Sequence, residues 1–368
     1  MLTFDRFKLK DNPFRVVPAI NSHELIWAGF NEIKQKLETR ILRSLQIPNS
    51  AIVLNWGDYG SGKTHAARYF CKDSVMEELA QRAGCNKPLS MMINFPRGKK
   101  VIDEMYTQIM DKIDIRYLRE NIPVDAKIAD CIKNSTDSVY IQHVLEEVFT
   151  DRGRTVEQVK AFLYGTEYPK DLVNVGITRK LSIETDAVDL LSALFNVMTG
   201  IKLFSAVILW IDEFEDISLQ NSNGINAANS FIKILLDKTP NRMLMFINFT
   251  LTAIASAVES LGDYLQEAVK SRIVQRNELA YPNTADMLNY ISELMNNEIF
   301  RTEAVEENPY TPFEAAVVSQ VVADLGSVSL RKYNEAFSRL LDSAAFDDQE
   351  TITMDYYNAH KDEIITSW

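Results

Sequence analysis

Cysteine is scarce in this chain, and its three copies, Cys71, Cys85 and Cys131, are odd in number and widely scattered. No C-x-x-C pair or nearby histidine accompanies them, which argues against both a disulfide framework and a zinc site. They read as partly buried free thiols in a reducing compartment. Long apolar runs are missing too. None approaches the roughly 18 residues that span a bilayer, and the mixed polar and charged start, Met1 to Lys10, lacks the apolar core of a secretory signal. The expectation is a cytoplasmic protein with no membrane partner. Positive charge is in deficit as well: 39 Lys and Arg stand against 51 Asp and Glu, for a net charge of -12. Coating nucleic acid by bulk electrostatics needs the opposite balance, although a local basic patch remains open. There is no internal repeat and no low-complexity tract.

What the chain does have is 368 residues, 46% hydrophobic and 24% charged. That is enough for a full α/β core and a second, smaller domain. Residues 1–30, with Asp11-Asn12-Pro13-Phe14 and Pro18, carry turn chemistry and read as an extended lead-in. From Asn31 to Leu45, Ile33, Leu37, Ile41 and Leu45 recur at helical spacing. Buried strands are expected at Ala51–Asn55, Met91–Phe95, Phe204–Ile211 and Met243–Phe249, with a fifth at Ile273–Ala280. Helical pattern fills Lys63–Phe70, Val101–Tyr117, most of Asn121–Leu203, and Phe231–Leu236. Beyond Asn283 the pattern is wholly helical. The spacing predicts an α/β fold with a parallel sheet flanked by helices and a smaller all-α lid. The expected organisation is a lead-in and amphipathic helix over 1–50, an α/β core over 51–282 with a helical insertion at about 121–203, and a helical lid over 283–368.

Gly57-Asp58-Tyr59-Gly60-Ser61-Gly62-Lys63-Thr64 satisfies G-x-x-x-x-G-K-[ST] between an expected strand and an expected helix, the context this phosphate-binding pattern requires. Gly57, Gly60 and Gly62 let successive backbone N–H groups close on an anion. The helix opening near Lys63 adds the positive end of its dipole. Lys63 then serves the β- and γ-phosphates of ATP and the Thr64 hydroxyl a Mg²⁺ ion. The candidate nucleotide-binding residues are therefore the whole run from Gly57 to Thr64, with Thr64 also a metal ligand.

Val207-Ile208-Leu209-Trp210-Ile211 ends in Asp212-Glu213, which puts two carboxylates at the carboxyl end of a buried strand, where open parallel sheets bind ligands. Asp212 is the candidate Mg²⁺ partner and Glu213 the candidate base that polarises the attacking water. Glu215 competes for the second role. The pair points to hydrolysis rather than binding alone.

With a strand, a phosphate loop and an apolar run ending in Asp-Glu in order, the chain resembles the AAA+ ATPases, and within them the initiators and loaders related to Orc and Cdc6. Three further assignments follow from that resemblance. Asn248, ending Leu244-Met245-Phe246-Ile247-Asn248, occupies the sensor 1 position that helps orient the hydrolytic water, with Thr250 as the alternative. Arg272, in Lys270-Ser271-Arg272-Ile273, looks like the arginine finger offered to a neighbouring subunit. Arg331, in Gly326-Ser327-Val328-Ser329-Leu330-Arg331, matches the sensor 2 arginine at the start of a lid helix. The segment Phe162-Leu163-Tyr164-Gly165-Thr166-Glu167, continuing to Val175-Gly176-Ile177, is similar to bacterial Orc-like ATP-binding proteins, including those of phage-exclusion systems, and transposition regulators form a further likeness. Residues 346–368 are too few for the winged-helix DNA reader of Orc and Cdc6 proteins.

Arg97, Lys99 and Lys100 follow the second strand and are candidate DNA phosphate contacts, with a solvated charge cluster as the safer alternative. Asn12-Pro13-Phe14 with His23, Trp27 and Phe30 either wall an adenine base or belong to the core. His65 reads as a helix-surface residue. The expected function is a Mg-ATP-hydrolysing AAA+ switch that assembles with itself as a ring or filament, in which Arg272 completes the next subunit's site. Its expected target is DNA or a DNA-processing protein, in replication loading, transposition targeting or phage defence. A static nucleotide-controlled recruiter and a P-loop kinase are the alternatives.

Overall fold

Five apolar runs, each closed by a turn, become the strands of one parallel sheet, in the order β2-β3-β4-β1-β5. They are β1 (Ala51–Gly57), β2 (Leu89–Asn94), β3 (Val207–Asp212), β4 (Met243–Thr250) and β5 (Ile273–Glu278). The computed structural model describes residues 4–17, 24–150, 153–167, 170–250, 264–304 and 307–365. His23 and Pro18 lie outside the described residues. β3 pairs in parallel with β2, Ile93 opposite Ile211, and with β4, Ile211 opposite Ile247. Every residue of β3 is buried, as expected of a central parallel strand covered on both faces. Trp210 and Phe246 stack at 3.8 Å between ring centroids on neighbouring strands.

The helices are α1 (Asn31–Gln46), α2 (Lys63–Tyr69), α3 (Asp73–Ala83), α4 (Val101–Asp111), α5 (Ile115–Glu120), α6 (Ile128–Ser135), α7 (Val139–Phe149), α8 (Val156–Leu163), α9 (Ile183–Gly200) and α10 (Ser222–Lys238). A short α11 (Glu267–Lys270) precedes β5, and α12 (Thr284–Met295), α13 (Ala315–Leu325), α14 (Leu330–Phe346) and α15 (Met354–Ile364) follow it. The helical pattern expected as one piece over Val101–Tyr117 divides into α4 and α5. The cause is Asp114, whose carboxylate accepts from the backbone N–H groups of Arg116 and Tyr117 and so caps a new helix. The third strand starts at Val207, not Phe204, because the turn closing α9 extends through Leu203 and Phe204, whose N–H groups bond back to the Met198 carbonyl. Among the described residues of the lead-in there is one 3₁₀ turn, Asp5–Phe7, and the chain expected to be extended also turns at Lys8 (φ 58°) and Phe30 (φ 49°).

Contacts group the chain into two compact units: Leu37–Trp56 with Phe70–Asn277, and Met1–Lys36 with Gly57–Tyr69 and Glu278–Trp368. In the first, the helical insertion is not a separate lobe. Val144, Leu145, Phe162 and Phe195 share one continuous apolar core with Ile52, Leu209 and Met245 of the sheet. In the second, the lead-in is an integral part of a helical core: Phe7, Leu9 and Phe14 are buried with Met287, Val318, Phe337 and Tyr357. The buried Arg301 guanidinium ties the segments together by donating to the carbonyls of Phe7 and Met295.

Candidate functional site: the phosphate loop and the carboxyl edge of the sheet

The turn after β1 is built on glycine where nothing else fits. A Cβ on Gly57 would sit 2.4 Å from the Leu279 carbonyl oxygen and 2.8 Å from Ser61 Oγ. Gly60 and Gly62 hold φ of +81° and +96°, a region that glycine alone enters at little cost. Lys63 opens α2, is 7% exposed, and donates from Nζ to the carbonyls of Gly57 (2.8 Å) and Asp58 (2.9 Å) and to Ser61 Oγ (3.2 Å). An ammonium folded onto its own loop is a cation held in a ring of backbone dipoles. A direction from Gly62 that meets no protein atom within 4 Å leaves room beside that ring. The loop therefore fits a phosphate group, with anion-seeking N–H groups and a buried counter-charge.

Arg331, in the first turn of α14, lies against this loop. Its Cζ is 4.4 Å from the centre of the Tyr59 ring, a cation–π contact, and its Cβ would come within 2.9 Å of a Cβ on Gly60. The Asp58 carboxylate beside it raises the Tyr281 phenol pKa. On the other side of α2, the imidazole Nε2 of His65 lies 2.7 Å from the Ile26 carbonyl, and Trp27 packs edge-on to Tyr69 at 5.2 Å. Phe14, by contrast, stacks on Phe337 in the helical core, and so is not a wall for a base.

At the carboxyl edge of the sheet, β3 delivers Asp212 and β4 delivers Asn248. Asn248 Nδ2 donates to Asp212 Oδ1 at 3.0 Å, and both side chains are buried. The chain then turns sharply: Glu213 adopts φ 54°, ψ 36°, a left-handed conformation that costs a non-glycine residue roughly 1–2 kcal/mol. Strain of this kind persists where the surroundings dictate it. Burial pushes the Glu213 carboxyl pKa up, with Asp212, Asp216 and Glu215 adding to the rise and Arg97 opposing it. Glu215 is committed elsewhere, accepting from the Thr250 backbone N–H at 3.0 Å.

Arg97 is turned toward these acids, with Nε 2.6 Å from Asp216 Oδ2 and Nη2 3.5 Å from Glu213 Oε2. Lys100 pairs with Asp103 at 3.6 Å, and Lys99 is exposed. Arg272 bonds Asp237 of α10 through Nε at 3.1 Å and also contacts it through Nη2. The edge also holds two residues that the sequence reading passed over, Asn55 on β1 and Asn277 on β5, hydrogen-bonded to each other and, through Asn55, to Asn248. Their sequence signal is faint: a single asparagine in each otherwise unremarkable strand. Among the described residues no group of three or more His, Cys, Asp or Glu could hold a metal by itself. A divalent ion here would take the rest of its shell from nucleotide oxygens or water.

No family model matches the sequence, and no curated protein matches it. Solved structures do match its fold. Cdc6p from Pyrobaculum aerophilum superposes with a TM-score of 0.54 at 11% identity, covering 98% of this chain and 73% of that one. The ORC2 protein of Aeropyrum pernix, solved as ADPNP–ADP complexes, gives 0.53 at 14% identity, covering 97% and 73%. Its ADP form gives 0.52 at 13% identity, covering 95% and 72%. At such identities the likeness is one of fold: a five-stranded parallel sheet flanked by helices and followed by a helical part, in common with the Cdc6p and ORC2 structures.

Proposed function

We propose, on the premise of that fold likeness, that the chain is an AAA+ ATP-hydrolysing molecular switch that assembles with itself and acts on DNA or a DNA-processing partner. The observation that carries hydrolysis is the buried Asn248–Asp212 hydrogen bond beside a strained Glu213 whose pKa is raised. Gly57 to Thr64 bind the phosphates, with Lys63 supplying charge. The Thr64 hydroxyl and the Asp212 carboxylate are hard oxygen donors of the kind Mg²⁺ takes, and the ion neutralises phosphate charge when bound. Glu213 accepts the proton of the attacking water. A carboxylate whose pKa is lifted toward neutrality is a better base than an ordinary one. Asn248 orients that water, and Arg331 meets charge on the phosphates once released from Tyr59. Residues 283–368 act as the lid.

Self-assembly rests on Arg272. Its charged partner within the chain is an acid on the surface of α10, with a further contact to the Ala268 carbonyl, and such exposed pairs are worth little, so exchange for a neighbour's nucleotide costs little. Replication loading, transposition targeting and phage defence all fit this switch. Lys99 is the exposed cation available for a DNA phosphate, since Arg97 and Lys100 face acids in this structure. The large helical segment over α12 to α15 disfavours a P-loop kinase, whose lid is short and arginine-rich. The test is size exclusion and ATPase assay with ADP, ATP, and ATP plus double-stranded DNA, on wild type and Arg272→Ala. ATP-dependent assembly in the wild type, and a loss of turnover of about 10³-fold or more in the variant, is expected. A variant that hydrolyses like wild type with no ATP-dependent assembly in either protein excludes the trans-acting arginine.

A further inference from the structure

The order β3-β4-β1-β5 places Asp212, Asn248, Asn55 and Asn277 on four adjacent strands, and their side chains form a single file. Asn277 Nδ2 donates to Asn55 Oδ1 at 2.8 Å, Asn55 Nδ2 to Asn248 Oδ1 at 2.9 Å, and Asn248 Nδ2 to Asp212 Oδ1 at 3.0 Å. Gln275, on the same face of β5 two residues earlier, donates to Asn277 Oδ1 at 2.9 Å and extends the file. All four members of the rung are buried, at 2% exposure for Asn55, 0% for Asn248, 4% for Asn277 and 3% for Asp212.

The direction of this file is fixed by chemistry. An ionised carboxylate accepts hydrogen bonds and cannot donate them, so Asn248 must turn its NH₂ to Asp212 and its carbonyl to Asn55. Asn55 must then present its NH₂ to Asn248 and its carbonyl to Asn277, and the same logic sets Asn277. Every amide dipole points the same way, and bonds aligned in series polarise one another. Asn248 is thereby held against rotation about its terminal bond by a donor on one side and an acceptor on the other. The rung is also an expense: the preceding one is apolar, Ile211 opposite Ile247, and leaving any one of these buried amides unpaired would cost about 1–3 kcal/mol.

We propose that Asn55 and Asn277 are positioning residues for ATP hydrolysis, acting through Asn248 and Asp212 by locking the amide of the one and the carboxylate of the other in a single orientation. This rests on the ATPase reading of the same edge. Neither residue touches nucleotide; their work is to set the polarity of the file. Asn55→Asp is the most informative change, because it keeps the shape and reverses one bond. An ionised carboxylate at 55 can only accept, so it draws the NH₂ of Asn248 away from Asp212.

The experiment measures kcat and KM for ATP, the Kd for ADPNP, and the Asn248 side-chain amide resonance by ¹⁵N NMR. The proteins are full-length wild type, Asn55→Asp and Asn277→Ala. Asn277 lies on the outer strand of the sheet, so its truncation keeps the file testable if Asn55→Asp fails to fold. Asn55→Asp is expected to lower kcat by about tenfold or more and Asn277→Ala by about threefold, since the larger loss follows the bond nearer Asp212. KM and the ADPNP Kd stay within about twofold in both, as transition-state positioning requires, and the Asn248 resonance moves. Lowering the pH partly restores Asn55→Asp relative to wild type, because the protonated acid donates again. Wild-type kcat in a folded variant with an unmoved Asn248 resonance overturns the proposal, as does an equal loss of kcat and nucleotide affinity. A wild type with no ATPase activity sinks the ATPase reading instead, and the Asn248 resonance then still reports whether the file exists.

Discussion

Gly57→Ala isolates the geometric requirement of the phosphate loop. Gly57 is not held at positive φ, so the methyl group is resisted by contact alone. Its Cβ would lie 2.4 Å from the Leu279 carbonyl oxygen, 2.8 Å from Ser61 Oγ and 3.2 Å from the Leu279 carbonyl carbon. Carbon and oxygen atoms rest near 3.5 Å, so loop and carbonyl must separate by about 1 Å. A shift of that size in a positioned group costs about 100-fold in rate, or ~2.7 kcal/mol. Gly62→Ala is the comparison: its Cβ meets no protein atom within 4 Å, but its φ of +96° imposes backbone strain of about 1–2 kcal/mol, and the methyl enters the space left for a phosphate. Thermal melts without nucleotide and kcat/KM for ATP are measured on both. Gly57→Ala should lose about 100-fold in kcat/KM, whereas Gly62→Ala should lower the melting temperature of the nucleotide-free protein as well as kcat/KM. Wild-type kcat/KM and ADPNP affinity in Gly57→Ala would refute the steric reasoning.

Three further outcomes are expected. Glu213 works as a base only when ionised, and its raised pKa places the acid limb of the rate profile above the ordinary glutamate value of 4.5. Arg97→Ala removes the one influence that lowers it, so the limb of the kcat–pH profile moves to higher pH; a limb that stays or moves down contradicts this. Asp237→Asn frees Arg272 at a stability cost of no more than about 1 kcal/mol, and sedimentation velocity should show ATP-dependent assembly preserved or strengthened. Tyr59→Ala removes the ring beneath Arg331, a contact worth about 0.5–1 kcal/mol, and ATP affinity measured by titration should rise by no more than about fivefold as the guanidinium is released.

The strand, glycine turn and helix over Ala51–Tyr69 were legible because glycines, lysine and threonine are consecutive there, so local chemistry defines the turn. Asp212 and Glu213 were legible for a similar reason: an apolar run ends abruptly in carboxylates. Asn248 needed a family pattern, since a strand ending in asparagine is unremarkable alone. Asn55 and Asn277 were illegible because their meaning depends on which strands lie side by side, and β1 sits between β4 and β5 only in the folded sheet. The break at Asp114 lay hidden inside the helical pattern over Val101–Tyr117 because capping depends on backbone geometry, which periodicity does not report. Arg97 stood in the sequence as a surface cation, for a DNA phosphate or for solvent. The acids that hold it, Glu213 and Asp216, lie more than a hundred residues away in sequence, and Asp216 Oδ2 alone accepts from its Nε. The lead-in was read as extended, and its apolar positions Phe7, Leu9 and Phe14 become core only because α12 to α15 supply the opposite wall.

The central claim is that Glu213 drives hydrolysis while Gly57 to Thr64 bind the nucleotide. Single-turnover hydrolysis of ATP by Glu213→Gln, measured beside ADPNP affinity, tests it most directly. The account predicts a fall in rate of about 100-fold or more, in the range expected for loss of a general base, with affinity unchanged within about twofold. Hydrolysis at the wild-type rate in a variant that still binds ADPNP would contradict it.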